Sequence, residues 1–125
     1  MNIQSAIKEG TIILKNSYIK TAKLDTEILL AKVLDSKRED IILNTQKNLD
    51  DSHLDQFKKL IKERANRKPI AYLLNKKFFW NYEFYINENT LIPRPDTEVI
   101  INEILRLAKY KNKINILDIG VGSGC

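Results

Sequence analysis

Cysteine is nearly absent from this chain. The single one, Cys125, is the last residue, so no internal disulfide can form and a stapled secreted domain is excluded. Histidine is as scarce: His53 stands alone, with no cysteine or acidic cluster at ligand spacing. Neither a metal site nor a Ser/His/Asp triad can be assembled from such a sequence. No apolar run approaches the roughly 18 residues that a membrane span requires. The opening Met-Asn-Ile-Gln-Ser has no basic start followed by an apolar core, so no secretory signal is visible. Internal repeats and low-complexity segments are missing as well. These absences point to the cytoplasm and away from the membrane.

What is present is an ordinary globular balance, 43% hydrophobic and 30% charged, over 125 residues, which is room for one domain or a small domain plus part of another. The net charge of +5 is uneven: residues 1–68 carry 14 Lys/Arg against 10 Asp/Glu, and residues 69–125 carry 7 against 6. A modest basic bias suits an acidic or nucleic-acid-bearing partner, though the many Lys, Asn and Ile residues fit the codon usage of an AT-rich genome better.

Apolar spacing predicts a helix over residues 2–16, with Ile3, Ala6, Ile7, Ile13 and Leu14 on one face and Gly10 where a close neighbour needs space. A second helix, Thr21 to Leu34, has a broad apolar face and is expected to be central, with Asp25 and Glu27 near its start, where the helix dipole favours negative charge. Ser36 and Glu39 have capping-box spacing and open a short third helix, Lys37–Leu43. Asp50, Asp51 and Ser52 offer caps for a fourth, reaching Arg67. Pro69 belongs in the first turn of a fifth, Ile70–Leu74. This is the pattern of a compact helical bundle.

At Asn75 the pattern changes. Lys77–Trp80 and Glu83–Ile86 read as a hairpin about Asn81-Tyr82. Six of the ten aromatics fall between Phe78 and Tyr85, and are read as a hydrophobic wedge rather than a base-stacking platform, since few basic residues are interleaved. Leu91-Ile92-Pro93-Arg94-Pro95 must be extended. Asp96 is expected to cap a sixth helix, Thr97–Tyr110. Ile114–Ile119 then reads as a parallel strand of the buried type that breaks into Gly120, Gly122 and Gly124. The parallel neighbours it needs are missing, so it is expected to be disordered or to borrow a partner, while residues 1–74 stay folded. Glycines at this spacing let the backbone turn tightly and approach a ligand.

Two stretches carry chemistry. Asp118-Ile119-Gly120-Val121-Gly122-Ser123-Gly124 follows a strand but is not the dinucleotide pattern, because its third glycine comes one residue early. It favours methyl-donor binding over other nucleotide binding or a structural turn. In Pro93-Arg94-Pro95-Asp96-Thr97-Glu98 the prolines stiffen the chain, while the guanidinium of Arg94 suits a carboxylate, either that of a ligand's amino-acid end or that of Glu98. The basic run Lys58, Lys59, Lys62, Arg64, Arg67 and Lys68 is a solvated face or a partner surface.

Five strings occur here in the order seen in the PrmC/HemK family: Leu24–Ala31, Arg67–Leu73, Phe79-Trp80, Leu91–Glu98 and Ile116–Cys125. The chain therefore resembles, over essentially its whole length, the S-adenosylmethionine-dependent methyltransferases that modify the glutamine of the Gly-Gly-Gln motif in peptide chain release factors. It departs from the common pattern in having Asn75 and Asn81 where glycine is usual. The family's Asn-Pro-Pro-Tyr motif and its ribose-binding acid do not occur, so the chain is expected to be a piece of a larger protein.

The resemblance implies a mainly α chain in three parts. Residues 1–74 are a helical substrate-recognition domain, 75–92 a β-hairpin linker, and 93–125 the incomplete start of a Rossmann-like α/β methyltransferase domain. It implies that Asp118, Gly120, Val121, Gly122, Ser123 and Gly124 line the methionine and ribose side of the cofactor, with Arg94 and Thr97 as weaker contacts. No catalytic residue is expected within the chain. Release factors are the implied partners, with ribosome or RNA proximity as a further reading. The competing functions are a nucleic-acid (amino-adenine or transfer-RNA) methyltransferase and a stand-alone docking module.

Overall fold

A computed structural model describes residues 1–125. Six α-helices and one two-stranded antiparallel hairpin make up the regular structure, in two compact units, Met1–Leu74 and Asn75–Cys125.

The first unit holds α1 (Ile3–Asn16), α2 (Ala22–Val33), α3 (Arg38–Leu43), α4 (Asp51–Ala65) and α5 (Ile70–Leu74). The Asn2 side chain accepts from the Ser5 N–H at 2.9 Å and starts α1, and Asp50 does the same for α4 through the His53 N–H at 2.8 Å. α2 is the hub and packs against α1, α3, α4 and α5. Ile3, Leu14, Leu29, Leu30, Ile41 and Ile61 are fully enclosed in one core that also takes in Phe57 and Leu73. Each such side chain contributes about 1.5–3 kcal/mol by leaving water.

Gly10 is what lets α1 approach so closely. A Cβ there would lie 2.9 Å from Thr26 Cγ2, 3.0 Å from Phe57 Cζ and 3.1 Å from Ile61 Cδ1. The neighbours of α1 thus use the space that the missing side chain leaves.

Three details of this unit correct the sequence expectations. The cap of α3 is shifted by one residue: the Asp40 carboxylate accepts the Lys37 N–H at 3.3 Å, and Ser36 Oγ is enclosed without a partner. Asp40, one residue beyond Glu39, is the acid that reaches back to the amide at the helix start. Asp25 lies in the first turn of α2 as expected, but it and Glu27 are buried and held in ion pairs. Arg64 Nε meets Asp25 Oδ2 at 2.7 Å, and Arg38 meets Glu27 Oε2 at 2.7 Å. Arg64 also donates to the Lys68 carbonyl at 3.0 Å, so one guanidinium ties α2 to the chain just beyond α4. Last, α4 ends at Ala65, short of Arg67, which has φ +70 and cannot continue a helix.

The second unit opens with the hairpin β1 (Lys76–Phe79) and β2 (Tyr82–Tyr85), paired Lys76↔Tyr85 through Phe79↔Tyr82. The turn is therefore Trp80-Asn81, one residue earlier than the sequence suggests. Trp80 takes φ +52, a region in which bulky residues are rare. Asn75 has φ +57, which asparagine tolerates, and it closes the open end of the hairpin by exchanging hydrogen bonds with Ile86. A 3₁₀ turn at Pro95–Thr97 leads into α6 (Glu98–Ala108). Asp96 lies inside that turn and makes no cap, because proline at its start already sets the entry geometry.

No strand forms at Ile114–Ile119, in keeping with the missing parallel neighbours. Those residues are in irregular, exposed backbone, with Leu117 84% and Ile119 87% exposed. A parallel strand needs neighbours to satisfy its backbone, and the only sheet within the described residues is the short antiparallel hairpin.

Candidate functional site

The site is built on two extended stretches and one helix of the second unit. The Pro93-Arg94-Pro95 path is fixed by its prolines and delivers Arg94 and Thr97 beside the first turn of α6. From α6 come Ile100, Ile101 and Ile104, and from β1 comes Phe79, which is buried and meets Phe84 edge-on at 6.4 Å. The glycine segment supplies the remaining wall.

Together these line a cleft of about 460 Å³, within the usual size range of small-molecule sites. Of the residues singled out in the sequence, Arg94, Thr97, Asp118, Gly120, Val121, Gly122 and Ser123 line it, whereas Gly124 does not. Gly120, Gly122 and Gly124 have φ of +80, +56 and +85, so glycine is required for the path itself. Cβ atoms at Gly120 and Gly124 would meet nothing within 4 Å, so their role here is conformational rather than one of crowding.

The electrostatics are simple. Arg94 is exposed and makes no ion pair. The alternative pairing with Glu98 is not made; the Glu98 carboxylate instead accepts the Trp80 N–H at 2.8 Å. Asp118 is also among the lining residues, and Ser123 Oγ is enclosed without a hydrogen-bond partner. A cation, an anion and an unpaired hydroxyl around an apolar floor are the groups that an α-amino-acid moiety requires. The donor set therefore fits the amino-acid end of S-adenosylmethionine. Groups of His, Cys, Asp and Glu able to hold a metal ion are absent.

Sequence reasoning missed the floor of the cleft. Ile100 and Ile104 only map the faces of the sixth helix by their spacing, and nothing in that spacing separates a core face from a ligand-facing one.

A second concavity, of about 360 Å³, belongs to the first unit and lies along α1 and α4. Ala6, Gly10, Ile13, Leu54, Phe57, Ile61 and Ala65 give it an apolar lining, and Lys58, Lys62 and Glu9 stand at its edge. Lys58 and Lys62 are exposed and make no ion pair. The basic run on α4 is thus partly internal, through Arg64, and partly a free cationic rim. No helix of the chain is long and apolar enough to cross a membrane.

Comparison with known proteins places the chain. Residues 5–74 match the family model described as the PrmC N-terminal domain. A release factor glutamine methyltransferase from Leptospira interrogans is 38% identical over 127 residues, covering 99% of this chain and 44% of the relative. One from Buchnera aphidicola subsp. Schizaphis graminum is 39% identical over 124 residues, again with 99% and 44% coverage. A bifunctional methyltransferase from Rickettsia bellii is 31% identical over 150 residues, covering 27% of that protein. The chain spans less than half the length of these curated relatives. With a family model matched over most of the first unit and relatives aligned along 99% of its length, the chain belongs to the PrmC N-terminal domain family.

Proposed function

We propose that the chain is the N-terminal part of an S-adenosylmethionine-dependent protein methyltransferase. The reaction transfers a methyl group to the side-chain amide of the glutamine in the Gly-Gly-Gln motif of peptide chain release factors. The observation that carries this reading is the cleft that gathers Arg94, Thr97, Asp118 and the Gly120–Gly122 path beside α6. The names of the relatives supply the substrate class.

In this reading residues 1–74 recognise the substrate protein, residues 75–92 are the linking hairpin, and residues 93–125 begin a Rossmann-like methyltransferase domain in the cytoplasm. Arg94 holds the carboxylate of the cofactor's methionyl end and Asp118 its ammonium. Thr97 and Ser123 are hydroxyl contacts. Gly120, Val121 and Gly122 bring backbone amides close to the ligand, and Gly124, outside the cleft, shapes the path that carries them. The bound cofactor supplies a methyl group on a sulfonium centre. An amide nitrogen is a weak nucleophile, because its lone pair is delocalised, so polar groups must hold the glutamine in line with that methyl. No residue of this chain is assigned that task, and the chain alone is expected to bind the cofactor weakly and to catalyse nothing. The apolar groove along α1 and α4, rimmed by Lys58 and Lys62, suits a release-factor segment with apolar side chains flanked by carboxylates.

The test uses the full-length protein that carries residues 1–125, incubated with S-adenosylmethionine and a release factor, with the modified site mapped by peptide mass spectrometry. One added methyl on the Gly-Gly-Gln glutamine is expected. Transfer to RNA or DNA, with none to the release factor, overturns the substrate. Reversing charge at Lys58 and Lys62 together should raise the KM for the intact release factor by roughly tenfold, as the loss of two complementary charges would.

A further inference from the structure

Trp80 breaks a local rule. It occupies the first central position of a two-residue hairpin turn with φ +52, where glycine is favoured and a bulky aromatic is strained. Residues held in such conformations persist where their surroundings over-determine them, and such places cluster at ligand-binding and active sites. The surroundings here are two side chains of α6. Glu98 Oε1 accepts the Trp80 backbone N–H at 2.8 Å, and Asn102 Oδ1 accepts the indole Nε1–H at 3.3 Å. Glu98 and Asn102 are four residues apart, so they lie one turn apart on the same helical face and grip one residue at two points.

The grip bears on the cleft. Phe79, the residue before Trp80, is 4% exposed and lines one wall. Thr97, the residue before Glu98, lines another, and Ile101, the residue before Asn102, belongs to the floor. We infer that Glu98, assisted by Asn102, is a positioning residue: by clamping the Trp80 turn onto α6 it fixes the separation of the Phe79 wall from the Arg94–Thr97 wall of the methyl-donor cleft. This rests on the proposed function of that cleft. Trp80 is present not for its turn propensity but because its indole reaches Asn102.

The test is a set of substitutions in the full-length protein, read by calorimetric titration with S-adenosylmethionine and by steady-state kinetics. Glu98→Ala removes the acceptor and should weaken cofactor binding by roughly tenfold, the size of one lost hydrogen bond to a charged acceptor. The KM for the cofactor should follow, while kcat and the KM for the protein substrate stay unchanged. Glu98→Gln keeps a carbonyl acceptor and should restore wild-type affinity. In the 125-residue chain Trp80 is the only tryptophan, so its emission reports the clamp directly. It should shift to the red in Glu98→Ala and not in Glu98→Gln. Should Glu98→Ala not fold, Asn102→Leu serves, with a smaller loss of affinity in the same direction.

Unchanged affinity in Glu98→Ala or Asn102→Leu overturns the inference, as does a Gln variant as impaired as the Ala variant. If the wild-type full-length protein does not bind the cofactor at all, the proposed function falls and the inference falls with it.

Discussion

α1 and α6 are both amphipathic by sequence, and only one of them buries its apolar face. In α1, Ile3, Ala6, Gly10 and Leu14 are enclosed by α2 and α4. In α6 no residue is buried, and Val99, Ile100, Leu105 and Leu107 are 48–64% exposed. Downstream of α6, the apolar run Ile114–Ile119 is exposed too. Periodicity specifies which face is to be covered, but the cover has to come from elsewhere in the protein. The first unit contains its own cover. The second presents a helix face and a strand-like run, and the described residues hold no sheet beyond the short hairpin to receive them.

The largest effect that would break this comparison lies in the first unit. Arg64→Ala leaves the Asp25 carboxylate buried without its partner, and also removes the donor to the Lys68 carbonyl. Uncompensated buried charge costs about 3–5 kcal/mol. Urea unfolding of the chain should therefore show a collapse in the midpoint of the helical signal. An unchanged midpoint would mean that the self-covered core does not depend on this tie.

Gly10→Ala comes next and sets two effects against each other. Alanine gains about 1 kcal/mol of helix propensity over glycine. Its Cβ, however, would lie 2.9 Å from Thr26 Cγ2. Thr26 is β-branched and fully buried, and its Oγ1 donates to the Ala22 carbonyl at 2.7 Å, so it cannot swing away. Overpacking of this kind costs about 1–3 kcal/mol, so a net loss is expected, and a larger one for Gly10→Val. Stabilisation by Gly10→Ala would show that α1 and α2 can part without penalty.

How much of this was legible follows the same division. α1, α2 and α5 lie within about two residues of their sequence boundaries, because the apolar spacing and Pro69 act locally. The tight site at Gly10 was legible for the same reason. The burial of Asp25 and Glu27 was not, since it depends on Arg64 and Arg38, which are remote in sequence. The hairpin was displaced by one residue because Asn81-Tyr82 looks the better turn. Trp80 is held in the turn by Glu98 and Asn102, 18 and 22 residues away, which bind its backbone N–H and its indole. The motif residues of the candidate site were legible as a string, since glycine alternation is a local property. Their apolar floor on α6 was not, whereas the want of a parallel partner for Ile114–Ile119 was legible, since no other strand of that kind can be read in the chain.

A smaller effect sharpens the contrast from the other side. Leu117→Ser with Ile119→Ser should change the stability of this chain by less than about 0.5 kcal/mol, as exposed substitutions do. In the full-length methyltransferase proposed above, where a sheet would receive this run, the same pair should be severely destabilising. Hydrogen exchange gives the direct reading: amides 116–119 should exchange freely in the dilute chain, and strong protection there would refute the unpaired description.

The smallest effect is a pH dependence at the start of α4. The His53 backbone N–H donates to the Asp50 carboxylate, and the His53 ring lies 2.6 Å from its other oxygen. These contacts, the backbone bond first, hold the Asp50 carboxyl below its ordinary value of 3.8. A carboxylate whose pKa is depressed by folding adds stability that is fully present above its unfolded value and is lost as pH falls through the folded one. The cap therefore contributes at neutral pH and fades in acid, below about pH 4. Asp50→Asn keeps an oxygen acceptor for the His53 N–H but cannot titrate. The melting temperature of this variant should be slightly lower than wild type at pH 7, and the gap should close in acid. A gap that instead widens as pH falls would mean that the Asp50 charge opposes the fold, and that the first turn of α4 is held by packing of Leu54 and Phe57 rather than by its cap.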